Sequence, residues 1–528
     1  MRNRQWIRRA AAAALSVCMA GLLGGCAGRS NEEKSAVPTL PPANIGTTAP
    51  DGDQAIRPAR EYPVYAYLPE KNTFQLTTVS RHVEEGTNLQ ETAETLIRAM
   101  LDAMNENRED SGKLDLFQGD EQRYPSVRLP EISGGICTVN LAPSAYRLNN
   151  DELYWTGLAL AATLCGLDEI SGVNLLVADK AVGLDSSGKL LPMGTLSGHT
   201  ENESLPGLWE HMEARKAPLG SDGSGIAFSA DATVYYPLPE GRGIGCEKQA
   251  MNFAGQNSGE LAGELIRALS RTMKQRSPGE NLPDLESFMQ REPVADQTAD
   301  GDQSIYIYFR ENIQELLDRW DTDLPTLIAS VTGTLFTFVP RVSWISVQVG
   351  ETPVTEMNNR YHSSKRSDSV EGLIKSGVYY RGDAAEFLTG TVRVFLGKDG
   401  KLTACEKPVE REEADSPRAM LEALLEGPDR REAEKGITAT IPAGVSKKDI
   451  LNVAVYNDTL LVKLSPDFLL RIRENGPEKE KLLCYSMVNT LCLNTGMKRV
   501  SFFFGDEQAE TIAGEIYWAG EFIYNPDL

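Results

Sequence analysis

Along this chain of 528 residues the hydrophobic pattern changes period three times in the same order. An aromatic-rich alternating segment gives way to an amphipathic stretch of helical spacing. A short valine-rich segment, a second helical stretch and a closing apolar run follow. Alternation at period two signals a strand and a period near 3.6 signals a helix. The clearest closing runs are Asn174-Leu175-Leu176-Val177, Trp344-Ile345-Ser346-Val347-Gln348-Val349-Gly350 and Val500-Ser501-Phe502-Phe503-Phe504-Gly505. A period well above the roughly 20–50 residues of solenoid units predicts tandem small domains.

The third copy is the most legible. Residues 391–396 alternate as a strand into the turn Gly397-Lys398-Asp399-Gly400. Ser416-Pro417 predicts a helix start, with Ser416 as cap and Pro417 in the first position. Ala419, Met420, Ala423, Leu424 and Leu425 then recur at helical spacing until Gly427-Pro428 stops the helix. Residues 451–456 and 460–464 flank Asn457-Asp458-Thr459, a hairpin signal. Ser465-Pro466-Asp467 leaves that strand, a helix is predicted over about 478–493, and residues 499–504 close the unit.

These elements resemble the GerMN domain. The resemblance rests on five features in order: Leu-Glu-Ala-Leu-Leu-Glu-Gly-Pro at 421–428, Ile441-Pro442-Ala443-Gly444, the strand pair from Val453 to Leu464, Leu483 followed by Met487-Val488-Asn489-Thr490-Leu491, and the strand ending at Gly505. It covers nearly all of residues 391–515. The family recurs in lipoproteins of sporulating Firmicutes linked to spore formation and germination. Its domains also resemble the ring-building domains of the channel that joins mother cell and forespore.

The other copies are in register with the third. In the second, residues 232–236 begin the unit, 260–269 parallel the first helix, 304–309 the middle strand and 324–335 the second helix. Thr334-Leu335 matches Thr490-Leu491, but Gly333 stands where the third copy has Asn489. The first copy begins at 62–68, with its helix at 92–104, a middle strand at 135–141 and a second helix at 153–164. That helix ends Ala162-Thr163-Leu164, with alanine in place of the asparagine. Asn489 and Thr490 are the sharpest polar feature, because they lie in an apolar helix face. Hydrogen bonding to backbone of the adjacent strand is the expected role, fixing helix against sheet.

The first residues read as a processing signal. Arg2, Arg4, Arg8 and Arg9 precede an apolar run over 10–23 that is too short to span a bilayer, and Leu23-Gly24-Gly25-Cys26 resembles a bacterial lipobox. That resemblance implies cleavage before Cys26 and attachment of diacylglycerol to its sulfur. Residues 30–57 are rich in Pro, Ala, Gly, Thr and Asn with almost no large apolar side chains, as in a flexible tether. The expected organisation is a leader over 1–25, a tether over 26–60, repeats over 61–180, 226–352 and 385–528, and linkers over 181–225 and 353–384. The protein is then expected on the extracytoplasmic face of the cell membrane, held by lipid.

Charge does not supply that attachment. The formal net charge is −22, and loss of the four leader arginines leaves 49 basic against 75 acidic residues, a net of −26. Such a surface is repelled by nucleic acid and by anionic headgroups, so no nucleic-acid partner is expected and the lipid must supply membrane binding. Six cysteines follow Cys26: Cys137, Cys165, Cys246, Cys405, Cys484 and Cys492. None forms a CxxC pair, and only His82, His199, His211 and His362 are available beside them, which argues against zinc. Buried free thiols are expected, with a Cys137–Cys165 bridge left open.

No catalytic constellation is present: P-loop, GxSxG, HExxH, EF-hand and dinucleotide fingerprints are all missing. Gly241-Arg242-Gly243-Ile244-Gly245 reads as a turn, and Asp51-Gly52-Asp53 and Asp300-Gly301-Asp302 as solvated loop acids. Phe502-Phe503-Phe504 reads as a central strand buried on both faces, with an exposed docking edge as the alternative. The expected fold class is α+β: three tandem two-layer domains, each with two helices on one face of a short mixed sheet. The resemblance implies a non-catalytic envelope assembly factor without cofactor or metal, contacting envelope or sporulation-complex proteins or a second copy. A lipid-anchored binder of peptidoglycan fragments or a germinant is the alternative, and a cell-wall hydrolase the third.

Overall fold

The computed structural model describes residues 60–68, 76–83, 89–105, 130–186, 189–198, 210, 212–213, 227–276, 282–298, 301–354, 377–410, 413–514 and 516–528. They belong to one compact unit spanning 58–528. The leader, Cys26, the tether, His199, His211 and His362 lie outside the described residues.

Each repeat is a hairpin, a helix, and then a ββαβ unit. In the first, strands β1 (Arg60–Tyr67) and β2 (Leu76–Val83) form an antiparallel hairpin, and α1 (Leu89–Asn105) follows. β3 (Glu131–Ser133) turns into β4 (Ile136–Leu141), α2 (Asn150–Leu164) crosses over, and β5 (Gly172–Val177) returns parallel to β4. The turn Gly134-Gly135 has φ of 53° and 70°, the left-handed pair a two-residue hairpin demands. α2 starts in a capping box, with Asn149 and Glu152 taking each other's amides. β6 (Lys180–Ala181), β7 (Gly183–Ser186) and β8 (Lys189–Pro192) come next, and Leu196 returns to bridge Val173.

The second repeat has the hairpin β9 (Phe228–Pro237) and β10 (Ile244–Phe253), then α3 (Ser258–Arg276). β11 (Val294–Gln297) and β12 (Gln303–Phe309) are antiparallel. A short α4 (Ile313–Trp320) precedes α5 (Leu324–Phe338), which Asp323 caps through the Thr326 amide at 2.9 Å. β13 (Val342–Val349) runs parallel to β12, and β14 (Thr352–Pro353) and β15 (Val378–Tyr379) both pair with it. α6 (Arg381–Ala385) leads out.

The third repeat pairs β16 (Gly390–Lys398) with β17 (Lys401–Val409), then adds α7 (Pro417–Glu426) and a short α8 (Arg430–Glu434). β18 (Ile450–Tyr456) and β19 (Thr459–Leu464) form the second hairpin. α9 (Pro466–Asn475), α10 (Pro477–Thr495) and β20 (Arg499–Phe504) complete the unit, with β20 parallel to β19.

The strands of each repeat thus divide between a two-stranded hairpin and a small mixed sheet, within the α+β class. Each repeat buries its own apolar cluster: one around Trp155, Leu96 and Met100, one around Phe309, Leu335 and Phe338, one around Phe502, Phe468 and Trp518. Ser416 caps α7 through the Ala419 amide, as its sequence predicts. Ser465-Pro466-Asp467 does more than leave a strand: Ser465 caps α9 by accepting from the Phe468 amide at 3.1 Å. The two expected linkers, and the end of the third repeat, also do more than connect. Leu196, Tyr379 and Phe522 each pair antiparallel with the closing strand at the same position, against Val173, Ile345 and Val500. A closing strand would otherwise present an unpaired edge, and the chain that follows each closing strand pairs with it.

Candidate functional site

The two residues singled out in the sequence sit where α10 meets the third hairpin and the C-terminal segment. The Asn489 side chain makes a reciprocal pair with Asn525: Nδ2 donates to its carbonyl at 2.8 Å and Oδ1 accepts its amide at 2.9 Å. Thr490 Oγ1 accepts the amide of Phe395 in β16 at 3.1 Å.

The threonine contact recurs in all three repeats. Thr163 takes the Tyr65 amide and Thr334 takes the Tyr235 amide, each at 2.9 Å. A two-stranded hairpin leaves every second amide of its outer edge without a strand partner, and a buried unpaired amide is costly. The second helix of each repeat carries the acceptor. In the third repeat Asn494 extends the device, accepting the Arg393 amide at 2.9 Å and donating to its carbonyl at 2.8 Å.

A second polar assembly is the junction where the repeats meet. On the outer face of the first repeat's sheet, Asn174 donates to Thr138 at 3.2 Å and to Thr233 of β9 at 3.0 Å, and accepts from Thr195 at 2.8 Å. All four are buried. Beside them Ile136 packs with Tyr235, Ile244, Cys246, Ala329, Phe387 and Leu388, an apolar cluster drawn from successive repeats. Asp302 closes the same junction with Lys180, Ser343 and Arg341. It is an ion-pair anchor and not the solvated loop acid expected.

The third repeat joins through Arg381, which is 4 % exposed and makes a two-pronged pair with Glu131 of β3, one prong at 2.6 Å. Burial acts to lower this guanidinium, but the Glu131 charge and hydrogen bonds outweigh it and hold it charged, above its ordinary range. The Gly134 amide donates to Thr391 Oγ1 at 2.8 Å, and a Cβ on Gly134 would lie 2.2 Å from the Cys246 carbonyl oxygen. The positive φ and this close approach both require glycine.

A cavity of about 470 Å³ opens beside these contacts, lined by Ser133, Cys246, Glu247, Arg276, Glu406 and Arg431 among others. Glu247 accepts from Arg276 at 2.6 and 2.8 Å and from Arg431 at 2.5 Å, and Arg276 reaches Asp429 at 3.3 Å. Arg276 also lies 4.2 Å over the Tyr236 ring. The Ser133 hydroxyl is buried with no hydrogen-bond partner among the described residues. Cys246 donates to the Ser133 carbonyl at 3.0 Å, and burial pushes its thiol up to about 12, so it is not a nucleophile at neutral pH. All six cysteines after Cys26 are free, which leaves Cys137 and Cys165 unbridged. Among the described residues no group of three or more His, Cys, Asp or Glu side chains could hold a metal, and no helix is long and apolar enough to cross a membrane.

The chemistry of the junction is mutual neutralisation, with its charges spent on one another. Sequence reasoning missed it. Glu131 and Arg381 lie 250 positions apart, and no local pattern marks either one.

Comparison with known proteins places the third repeat in a domain class. Residues 393–510 match the Germane family model, described as sporulation and spore germination. The solved tandem GerMN domains of the sporulation protein GerM from Bacillus subtilis align over 56 % of this chain and 98 % of that one, at 13 % identity and a TM-score of 0.21. A candidate lipoprotein from Clostridium perfringens aligns over 25 % of this chain and 88 % of its own, at 13 % identity and a TM-score of 0.18. No curated protein matches the chain significantly.

Proposed function

We propose that this protein is a non-catalytic envelope lipoprotein, anchored through Cys26, that acts in sporulation or spore germination as an assembly factor. The observation that carries the reading is the junction. Three repeats, one of them a Germane match, are cemented by buried ion pairs and side-chain hydrogen bonds that leave little reactive chemistry free. A compact body of three joined repeats, with the outer edge of strand β18 left unpaired among the described residues, suits docking of envelope proteins. The lipobox-like Leu23-Gly24-Gly25-Cys26 supplies the anchor.

The test has two arms. Labelling of cells with a radioactive fatty acid should mark the native protein and not Cys26→Ala, which should also leave the membrane fraction. Deletion of the gene should lower the yield of germination-competent spores, with normal yield counting against the reading.

A second reading has one observation in its favour. The cavity of about 470 Å³ with the unpartnered Ser133 hydroxyl has room for part of a peptidoglycan fragment or a germinant. Only Tyr236 is aromatic among its lining residues, which weighs against a sugar platform. A thermal shift on adding muropeptides would support this reading over the first.

A further inference from the structure

All three repeats wall the cavity of about 470 Å³ at the junction: Ser133 comes from the first, Arg276 from the second and Lys435 from the third. Most of the charges on its lining are already spent. Glu247 holds Arg276 and Arg431, Asp429 takes a second contact from Arg276, and Glu432 pairs with Lys407. Lys248 donates to the Ser171 carbonyl at 2.8 Å and to the Ser197 hydroxyl at 2.7 Å.

Two opposite charges on the lining are left over, Glu406 of β17 and Lys435 just after α8. Both are exposed, and neither side chain has a hydrogen bond or an ion pair among the described residues. Glu406 reaches across to the first repeat, where its carboxylate oxygens lie 3.0 and 3.4 Å from the place a Cβ on Gly135 would take. Desolvation pushes its carboxyl up from the ordinary range, and Arg393 offsets only part of this.

Two hydroxyls on the same lining also have capacity to spare. Ser133 is 4 % exposed, and its hydroxyl has no partner among the described residues. Thr391 accepts the Gly134 amide, and among the described residues its own proton goes to no acceptor. A buried hydroxyl without a partner is rare in a folded protein and marks a place where a polar group is wanting.

We propose that this cavity binds a small zwitterion, an α-amino acid or short peptide, with its ammonium on Glu406 and its carboxylate on Lys435. The hydroxyls of Ser133 and Thr391 complete the hydrogen bonding. The charge count selects the class. One spare acid and one spare base, in a lining otherwise neutralised, favour a ligand with one charge of each sign over a net anion, a net cation or a neutral sugar. Because the three repeats share the walls, the bound ligand ties them together and stabilises the native state by mass action. The inference rests on the second reading above, in which the cavity takes a ligand, and is independent of the assembly reading.

The test is isothermal titration calorimetry of the full protein in mild detergent, with thermal unfolding in parallel. The probes are the common amino acids and their glycyl dipeptides, each beside its N-acetyl and C-amide forms. At least one free zwitterion should bind and raise the melting temperature, and blocking either end should weaken binding about tenfold or more. Glu406→Gln should cost the free ligand as much as acetylation does, and the acetylated form should lose nothing further. Lys435→Met should stand in the same relation to the amide. Neither substitution should lower the ligand-free melting temperature, since neither side chain holds a partner. Failure of every zwitterion to bind at millimolar concentration would overturn the proposal, as would binding that survives both blocks or both substitutions. Binding of muropeptides with no free zwitterion bound would overturn it too, while leaving the ligand reading intact. The assembly reading stands or falls separately, on the spore yield of the deletion strain.

Discussion

Thr334 Oγ1 accepts the backbone amide of Tyr235 at 2.9 Å, joining the second helix of one repeat to the free edge of its own hairpin. The hydroxyl also donates to the Ser330 carbonyl at 2.8 Å, so it is both anchored and aimed. Thr334→Val keeps the shape and removes the acceptor, leaving a buried amide unpaired. The expected cost is about 1–3 kcal/mol of stability. Urea unfolding should show it as a lower midpoint with unchanged slope, and the Tyr235 amide should exchange faster with solvent. An unchanged midpoint would mean that water or a shifted strand replaces the bond.

Arg381 and Glu131 make the buried pair that ties the entrance of the third repeat to the first. Arg381→Ala leaves Glu131 without its partner, and breaking such a pair costs about 3–5 kcal/mol. Replacing both, with Arg381→Met and Glu131→Leu, removes the charges together. The double variant should recover most of the loss, because the desolvation of two ions is relieved at once. A double-mutant cycle on unfolding midpoints checks this. Additive losses would show that the two side chains act independently.

Asp302 gives the first junction a pH dependence. Burial pushes its carboxyl up, but the hydrogen bonds from Lys180 and Ser343 and the charges of Lys180 and Arg341 outweigh this and hold it below its ordinary range. A carboxylate with a lowered folded-state value stabilises fully above the unfolded value of about 3.9 and loses that contribution as pH falls through the folded value. The melting temperature of the native protein should therefore exceed that of Asp302→Asn by a constant margin from pH 7 to about 5. The margin should shrink below pH 4. A margin that widened on acidification would reverse the assigned sign.

How much of this was legible in the sequence follows from the range of the interactions. Helix starts at Ser416 and the turn at Asn457 are local, set by residues within four positions, and both stand where the chain predicts them. The Thr163, Thr334 and Thr490 series was visible as a recurring residue, although Asn489 drew equal attention. The asparagine serves a contact of the third repeat alone, the pairing of Asn489 with Asn525 in the C-terminal segment. A Cβ at Gly333 would lie in van der Waals contact with the Tyr235 ring at 3.4 Å and with Ala384 at 3.7 Å, so this side of the helix faces the hairpin and α6 and not a terminal segment like the one Asn489 holds. The second strands of the hairpins were less visible: β17 carries Lys401, Glu406 and Lys407 in an acidic-to-basic mixture that hides its alternation. Phe502-Phe503-Phe504 divides between faces, with Phe502 and Phe504 buried in the core and Phe503 half-buried outside. The Glu131–Arg381 pair had no signal at all, since its partners meet only through the packing of the repeats.

Glu480 shows how the third repeat holds its final segment. This carboxylate is fully buried in the first turn of α10 and accepts from the Trp518 indole at 2.7 Å, the Ala513 amide at 3.0 Å and the Ile516 amide at 3.3 Å. Those contacts seat Trp518 against Phe502 and Phe504, and bring Phe522 to Val500, where the two backbones exchange hydrogen bonds at 2.9 Å. Glu480→Gln removes the charge and turns an amide group toward donors. Hydrogen bonds to a charged acceptor are worth about 1.5–3 kcal/mol, so a loss of that order is expected. Hydrogen exchange should rise first at Ile516, Trp518 and Phe522, and only later at the sheet strands β19 and β20, because the segment is released before the core opens. Uniform acceleration through the whole repeat would instead mean that the segment and the core unfold as one unit.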